Sequence, residues 1–266
     1  MTRRSPLPCI GVFDSGVGGL TVLKALHELM PEAPLLYVAD TAHAPYGDKS
    51  SAAIVARSLA IAEHLWREGA QLLVVACNTA TAHAVQALRA RWPGRTIVGI
   101  EPGIKPAAAA SRNGRIGVLA TPATVASARY QALLQAHGSG VQVISQPCPG
   151  LVDLIETGTL DSPALQDRVE HCCAPLRAAG VDTVLMGCTH YPLIQPLLQR
   201  SLGPQVSLLN IEQAVARQVQ RLWPAAAAQP RADIRLQSTG DTAVLGRMAR
   251  LALGPDAAFS LTRIEL

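Results

Sequence analysis

The chain has 266 residues, 49% of them hydrophobic and 16% charged, with a formal net charge of +4. It is too long for a disulfide-stapled mini-domain and too apolar for intrinsic disorder, and its size suits one large domain or two small ones. Aromatics make up 3%, and no basic run exceeds Arg3-Arg4 and the loose set Arg89, Arg91 and Arg95, which argues for a solvated helix face and against nucleic-acid binding.

Short apolar runs mark strands at Ile10–Phe13, Leu35–Val38, Leu72–Ala76 and Thr96–Val98, then at Ile116–Leu119, Val141–Ile144, Thr183–Met186 and Val206–Leu209. Apolar residues at three- and four-residue spacing predict a helix starting near Leu20, and others over 51–68, 123–136 and 162–179. Strands alternating with helices imply βαβ units, and near-continuous Val/Ile/Leu strands fit a mostly parallel sheet covered on both faces. The segment 223–229 (WPAAAAQ) reads as a surface connection. The runs at Ile234–Leu236 and Phe259–Leu261 read as a return to the first half.

The chain echoes itself. Ile10-Gly11-Val12-Phe13-Asp14 resembles Ile116-Gly117-Val118-Leu119-Ala120, and Val75-Ala76-Cys77-Asn78-Thr79 resembles Met186-Gly187-Cys188-Thr189-His190, at offsets of 106 and 111. Two matches at nearly one offset suggest two related α/β halves, each with a cysteine just past a strand. The chain has six cysteines (Cys9, Cys77, Cys148, Cys172, Cys173, Cys188) and no paired C-x-x-C, so neither a zinc ribbon nor a thioredoxin motif is supported. No apolar stretch reaches the roughly 18 residues of a transmembrane helix, and no apolar core follows the N-terminal arginines as in a signal peptide. A cytoplasmic protein with reduced thiols is the expectation, with no membrane partner.

Ligands of open α/β sheets bind beyond the carboxyl ends of strands, and five segments fall there. Asp14-Ser15-Gly16-Val17-Gly18-Gly19 offers backbone N–H groups to a carboxylate or phosphate, but it is neither a dinucleotide fingerprint nor a P-loop. Asp40–Gly47 holds a Pro45-Tyr46-Gly47 turn that puts backbone donors and a phenol at a loop tip. Cys77-Asn78-Thr79 and Cys188-Thr189-His190 place thiols in matching positions. If the halves face each other, the thiols flank one cleft and can take a proton from one face of a carbon and return one to the other. A lone cysteine after a strand is ordinarily a small core residue, and it is the pairing that changes this. A helix N-terminus or nearby cation would lower the thiol pKa; His190 could assist Cys188, and Asp14 could assist Cys77. Thr121-Pro122-Ala123-Thr124 mirrors the Asp14 loop, with an N-cap role for Thr121 as the plain alternative.

Together VFDSGVGGLTVL (12–23), DTAHAPYG (40–47), ACNTATA (76–82) and GCTHYPL (187–193) resemble the glutamate racemase family, over about Ile10 to Ile264. The resemblance implies interconversion of L- and D-glutamate without pyridoxal phosphate, metal or nucleotide, with D-glutamate feeding peptidoglycan synthesis. It implies two pseudo-symmetric α/β domains, commonly in homodimers, with the site between them: 1–98 plus 211–266, and an inserted 99–210. It carries over Cys77 and Cys188 as acid/base thiols, Asp14 and His190 as their polar assistants, and Glu156 as a carboxylate near that histidine. Asp14, Ser15, Pro45, Tyr46, Gly47, Asn78, Thr79, Thr121, Thr189 and His190 match substrate-contacting positions. In the family, the first-half thiol takes the proton from D-glutamate and the second-half thiol from L-glutamate.

The sequence departs from the family at His43, where Arg is frequent, and at Asn210-Ile211-Glu212, where many members read Asp-Ser-Gly. The first strand begins near residue 8, which argues against the N-terminal extension through which a cell-wall precursor activates some members. The alternatives are a racemase of the same superfamily acting on aspartate or another substrate, a related decarboxylase, and a non-catalytic dicarboxylate-binding protein. A decarboxylase needs one proton donor, so two cysteines argue against it.

Overall fold

The computed structural model describes residues 8–223 and 233–266. Arg3-Arg4, and the predicted connection 223–229 apart from Trp223, lie outside these. A six-stranded sheet contains β1 (Cys9–Asp14), β2 (Leu35–Ala39), β3 (Ala70–Val75), β4 (Thr96–Gly99), β9 (Ile234–Ser238) and β10 (Ser260–Arg263), in the order β10-β9-β2-β1-β3-β4. A four-stranded sheet contains β5 (Arg115–Ala120), β6 (Gln142–Pro147), β7 (Thr183–Met186) and β8 (Ser207–Leu209), in the order β6-β5-β7-β8. Every pairing is parallel.

The order β2-β1-β3-β4 recurs as β6-β5-β7-β8, so the internal echo is a repeated topology. The matching strings lie on β1 and β5 and across the ends of β3 and β7. In such an order the connections leave β1 and β3 in opposite directions, opening a crevice at their carboxyl ends. Asp14 ends β1 and Cys77 follows β3; Thr121 follows β5 and Cys188 follows β7.

Alternation along the strands builds the core. Ile10 and Val12 of β1, with Leu72 and Val74 of β3, face α1 (Leu20–Leu29), α10 (Glu212–Leu222) and α11 (Thr242–Leu253). Phe13, Leu73 and Val75 face α2 (Ser51–Arg67) and α3 (Asn78–Arg91). On the second sheet, Leu119, Val184 and Met186 pack against α7 (Leu151–Glu156), α8 (Pro163–Ala178) and α9 (Gln195–Leu202). Ile116, Val118 and Leu185 share the first cluster with Ile104 and Ala107 of α4 (Ile104–Ala110), so apolar packing is continuous between the sheets. Each fully buried aliphatic side chain contributes about 1.5–3 kcal/mol.

The predicted helix over 123–136 is two helices, α5 (Pro122–Ala126) and α6 (Ala128–His137). Ser127 breaks it: its backbone is extended, and its hydroxyl accepts from the Tyr130 N–H at 3.1 Å and donates to the Thr124 carbonyl at 2.7 Å. A serine that bonds the backbone locally ends one helix and caps the next. Of the loose arginines, Arg91 and Arg95 lie over the rings of Trp92 and Trp66.

Candidate active site

The loop after β1 turns back on itself because Asp14 Oδ1 accepts from the Gly16 N–H at 2.8 Å and the Ser15 hydroxyl at 3.3 Å. The Tyr37 phenol donates to the Gly16 carbonyl at 2.5 Å and fixes the loop from β2. The other oxygen of Asp14 accepts from the Thr189 hydroxyl at 2.9 Å, joining this loop to the one after β7. Thr21, at the start of α1, adds a second link, donating to the carbonyls of Gly18 at 2.9 Å and Thr189 at 3.3 Å.

Cys77 caps α3, its sulfur accepting from the Ala80 N–H at 3.4 Å, and its thiol faces the Ser15 hydroxyl at 3.7 Å. Ser15 thus stands between Cys77 and Asp14. Cys188 Sγ lies 3.7 Å from Nδ1 of His190, whose Nε2 lies 2.5 Å from Glu156 Oε1. The same Glu156 oxygen accepts from the Val17 N–H at 2.8 Å. The anion seated on the glycine loop is therefore the protein's own Glu156, where the sequence suggested a ligand carboxylate. Gly16 and Gly18 are required by close approach. A Cβ on Gly16 would stand 1.8 Å from Glu156 Oε1, and one on Gly18 would stand 2.3 Å from His190 Nδ1.

Thr79 and Thr121 meet across the crevice, hydroxyl to hydroxyl, at 2.9 Å, with Thr124 completing the set. Thr121 also caps α5 through the Thr124 N–H, so the N-cap reading and the crevice position hold together. Gly47 packs on Thr121, where an added Cβ would meet its side chain at 3.1 Å. Asn78 is buried, and its Nδ2 has no hydrogen-bond partner among the described residues, leaving a donor beside Cys77 available to an acceptor.

Tyr46 departs from expectation. Its phenol is buried and donates to Asp40 Oδ2 at 2.6 Å, so it does not stand at the loop tip. Asp40 is a hub that also takes Arg57 Nε and Nη2 at 3.0 and 2.8 Å, Thr239 at 2.8 Å and His43 at 3.0 Å. An ion pair needs satisfaction once buried, and this phenol supplies part of it. His43 is thereby engaged with Asp40, away from the thiols. Pro45 leads into this 3-10 turn (Tyr46–Asp48).

Burial pushes Asp14 up to about 6, against the pull of His190 and its hydrogen bonds. Burial pushes the Cys77 thiol up to about 12; Asp14 adds to this, and Cys188 is near enough to add more. The Ala80 N–H and Ser15 offset only part, so the helix start does not lower this thiol overall. Burial opposes charge on His190, but the Cys188 sulfur and the Glu156 carboxylate outweigh it and hold the imidazolium well above the ordinary histidine range. The two thiols thus have unlike surroundings: an uncharged first-half thiol, and a second-half sulfur beside a cation.

Thr21, Tyr37 and Arg57 are not legible as site residues in the sequence. Threonine and tyrosine hydroxyls inside apolar strings carry no spacing signal, and Arg57 reaches Asp40 from the middle of α2.

The chain is similar to proteins of known kind. The profile of the Asp/Glu/hydantoin racemase family matches residues 10–219. The chain belongs to that family. Glutamate racemase from Ectopseudomonas mendocina is 50% identical over 251 residues, spanning 93% of this chain and 95% of that protein. Among solved structures, glutamate racemase isoform RacE1 from Bacillus anthracis superposes with a TM-score of 0.87 at 29% identity, covering 97% of this chain and 98% of that one. Escherichia coli glutamate racemase, solved with L-glutamate and the activator UDP-MurNAc-ala, gives 0.86 at 31%, covering 98% and 99%. The racemase fold of these relatives is the two-sheet fold described above.

Proposed function

We propose that the protein is a glutamate racemase working by two-thiol proton transfer at Cα, and that it supplies D-glutamate for peptidoglycan synthesis. The observation that carries this reading is the pair of cysteines at the tips of equivalent strands, β3 and β7, both set against the loop after β1: Cys77 faces Ser15, and Thr189, beside Cys188, donates to Asp14. Thiols from opposite halves approach Cα from opposite faces. For L-glutamate, the Cys188 sulfur takes the Cα proton, with the His190 imidazolium, held by Glu156, beside it. Cys77 then gives its proton to the opposite face, leaving its sulfur anionic and the product inverted. For D-glutamate the roles exchange, and Asp14 and Ser15 receive or return the proton beside Cys77.

Substrate contacts fall to Ser15, Asn78, Thr79, Thr121 and Thr189, with the backbone of Pro45-Tyr46-Gly47 closing the crevice. The unpartnered Asn78 amide and the threonine hydroxyls suit carboxylate oxygens. Residues 1–98 plus 211–266 form the first domain in this reading, and 99–210 the inserted one, as the strand membership of the two sheets supports. The reading includes a homodimer in the cytoplasm, acting without cofactor. Among the described residues, no helix is long and apolar enough to cross a membrane.

Elimination from 3-chloroglutamate tests the assignment. It requires one proton removal, after which chloride leaves and no return of a proton to Cα is needed. Cys77→Ser and Cys188→Ser should both lose racemisation. Cys77→Ser should still eliminate from the L-configured analogue, and Cys188→Ser from the D. Equal losses for both configurations in each variant would favour a single mobile base.

A further inference from the structure

The Asp40 carboxylate is fully buried just past β2, and several elements meet on it. Arg57, from the middle of α2, donates Nε to Oδ2 at 3.0 Å and Nη2 to Oδ1 at 2.8 Å, while its Nη1 donates to the Leu266 carbonyl at 2.8 Å. Thr239, just past β9, donates to Oδ1 at 2.8 Å and accepts from the Ala42 N–H at 3.1 Å. Next to Asp40 in the chain, Thr41 meets Ser238 hydroxyl to hydroxyl at 2.7 Å. Burial opposes the charge on Asp40, but Arg57, Tyr46 and Thr239 outweigh it and hold the carboxyl below its ordinary range. A buried ion pair is a weak source of stability, whereas a fully bonded polar network holds one geometry.

What that geometry fixes is the turn Tyr46–Asp48. The Tyr46 phenol reaches Asp40 Oδ2 at 2.6 Å, and its ring lies in the same buried cluster as Cys77. The next residue, Gly47, packs on Thr121, whose hydroxyl meets that of Thr79 across the crevice. Among the described residues, neither Arg57 nor Thr239 is hydrogen-bonded to Ser15, Cys77, Thr79 or Thr121. Their route to the crevice runs through the carboxylate and the phenol.

We propose that Arg57 and Thr239 are positioning residues for the substrate: acting through Asp40 and the Tyr46 phenol, they hold the Pro45-Tyr46-Gly47 turn against Thr121 and over Cys77. The proposal rests on the racemase reading of the crevice. A turn that contacts substrate equally in the ground state and the transition state sets KM and leaves kcat in place. A shifted turn also uncovers Cys77, which is 5% exposed. General destabilisation would instead lower the active fraction and open every buried thiol.

The test uses the full chain and two readouts: racemisation of glutamate, and iodoacetamide labelling of the substrate-free protein followed at each cysteine by mass spectrometry. Arg57→Gln, Thr239→Val and Tyr46→Phe should each raise KM about fivefold or more, with kcat changed less than about twofold. Each should also speed labelling of Cys77 about fivefold or more, while Cys9, Cys172 and Cys173 keep the parent's rates. Because the three side chains act along one path, adding Arg57→Gln to Tyr46→Phe should change KM by less than about a further twofold. Thr239→Val removes one hydroxyl without stranding a charge, and it decides the matter should Arg57→Gln fail to fold. Unchanged KM in the folded variants, additive effects in the double variant, or labelling that rises alike at all buried cysteines would each overturn the proposal. A parent protein inert toward glutamate, with Cys77 labelling responding as stated, would overturn the glutamate reading and sustain the positioning of the turn.

Discussion

Glu156→Gln removes a charge while keeping the geometry. One oxygen, Oε1, accepts from both the Val17 N–H and His190, so a glutamine carbonyl in that place retains both contacts. What is lost is the attraction between the carboxylate and the His190 imidazolium. Two unit charges about 4 Å apart at an effective dielectric of about 20 interact by roughly 4 kcal/mol, and partial rehydration would reduce the net loss to about 2–4 kcal/mol. At about 1.4 kcal/mol per tenfold, this is a loss of roughly 30- to 1,000-fold in whatever rate depends on the imidazolium beside Cys188. Racemisation cannot reveal which thiol is affected. The enantiomers have equal free energy in water, so kcat/KM must fall equally in both directions. Elimination from 3-chloroglutamate is one-way and escapes this constraint. For Glu156→Gln, the L-configured analogue should lose roughly 30- to 1,000-fold while the D-configured analogue loses less than about tenfold. Equal losses, or no loss with the L-analogue, would refute the coupling of Glu156 to Cys188 through His190.

Asp14→Asn should trade activity for stability. A carboxyl held at about 6 in the folded protein against 3.8 in the unfolded chain binds more protons when folded between those values, so stability falls as pH rises from about 4 to 6. Above pH 7 the full cost of about 3 kcal/mol is present, and asparagine avoids it. Urea unfolding should show the variant more stable by up to about 3 kcal/mol at pH 7.5 and equal to the parent near pH 3.5, while racemisation falls about 100-fold or more; a destabilised variant at pH 7.5 would contradict this. Gly18→Ala forces a methyl onto His190 and should cost about 1–3 kcal/mol in stability with loss of elimination from the L-analogue. Gly94→Ala meets nothing within 4 Å and should be silent in both assays.

Much of this architecture is written in the chain as repeated strings. The strand tips that present Asp14, Cys77, Thr121 and Cys188 are legible because buried parallel strands read as short apolar runs ended by polar residues. The pairing of Cys77 with Cys188 follows from the repeat, since residues at equivalent tips occupy equivalent places in the two halves. Glu156 on the glycine loop was not legible as an intramolecular anion. An N–H at a helix start donates to any carboxylate, and only packing shows that α7 delivers its own. The Tyr46 phenol misled for a related reason. A Pro-Tyr-Gly turn reads as exposed, whereas the phenol joins Arg57 and Thr239, from separate elements, in donating to the buried Asp40 carboxylate. The break at Ser127 escaped because the apolar period continues across it, while the hydroxyl that divides the helix bonds only its neighbours. The opposed surroundings of the two thiols are purely tertiary: one burial and one ion pair, with no counterpart in spacing.

Isotope incorporation at Cα reads the two-thiol mechanism most directly. The purified protein is incubated with L-glutamate in deuterated water, and the Cα isotope of each enantiomer is measured by mass spectrometry after chiral separation at low conversion. With thiols on opposite faces, every D-glutamate formed should carry deuterium at Cα, and the L-glutamate still unconverted should retain protium. D-glutamate that keeps the substrate's own hydrogen, or L-glutamate that gains deuterium as fast as product forms, would contradict two-thiol racemisation.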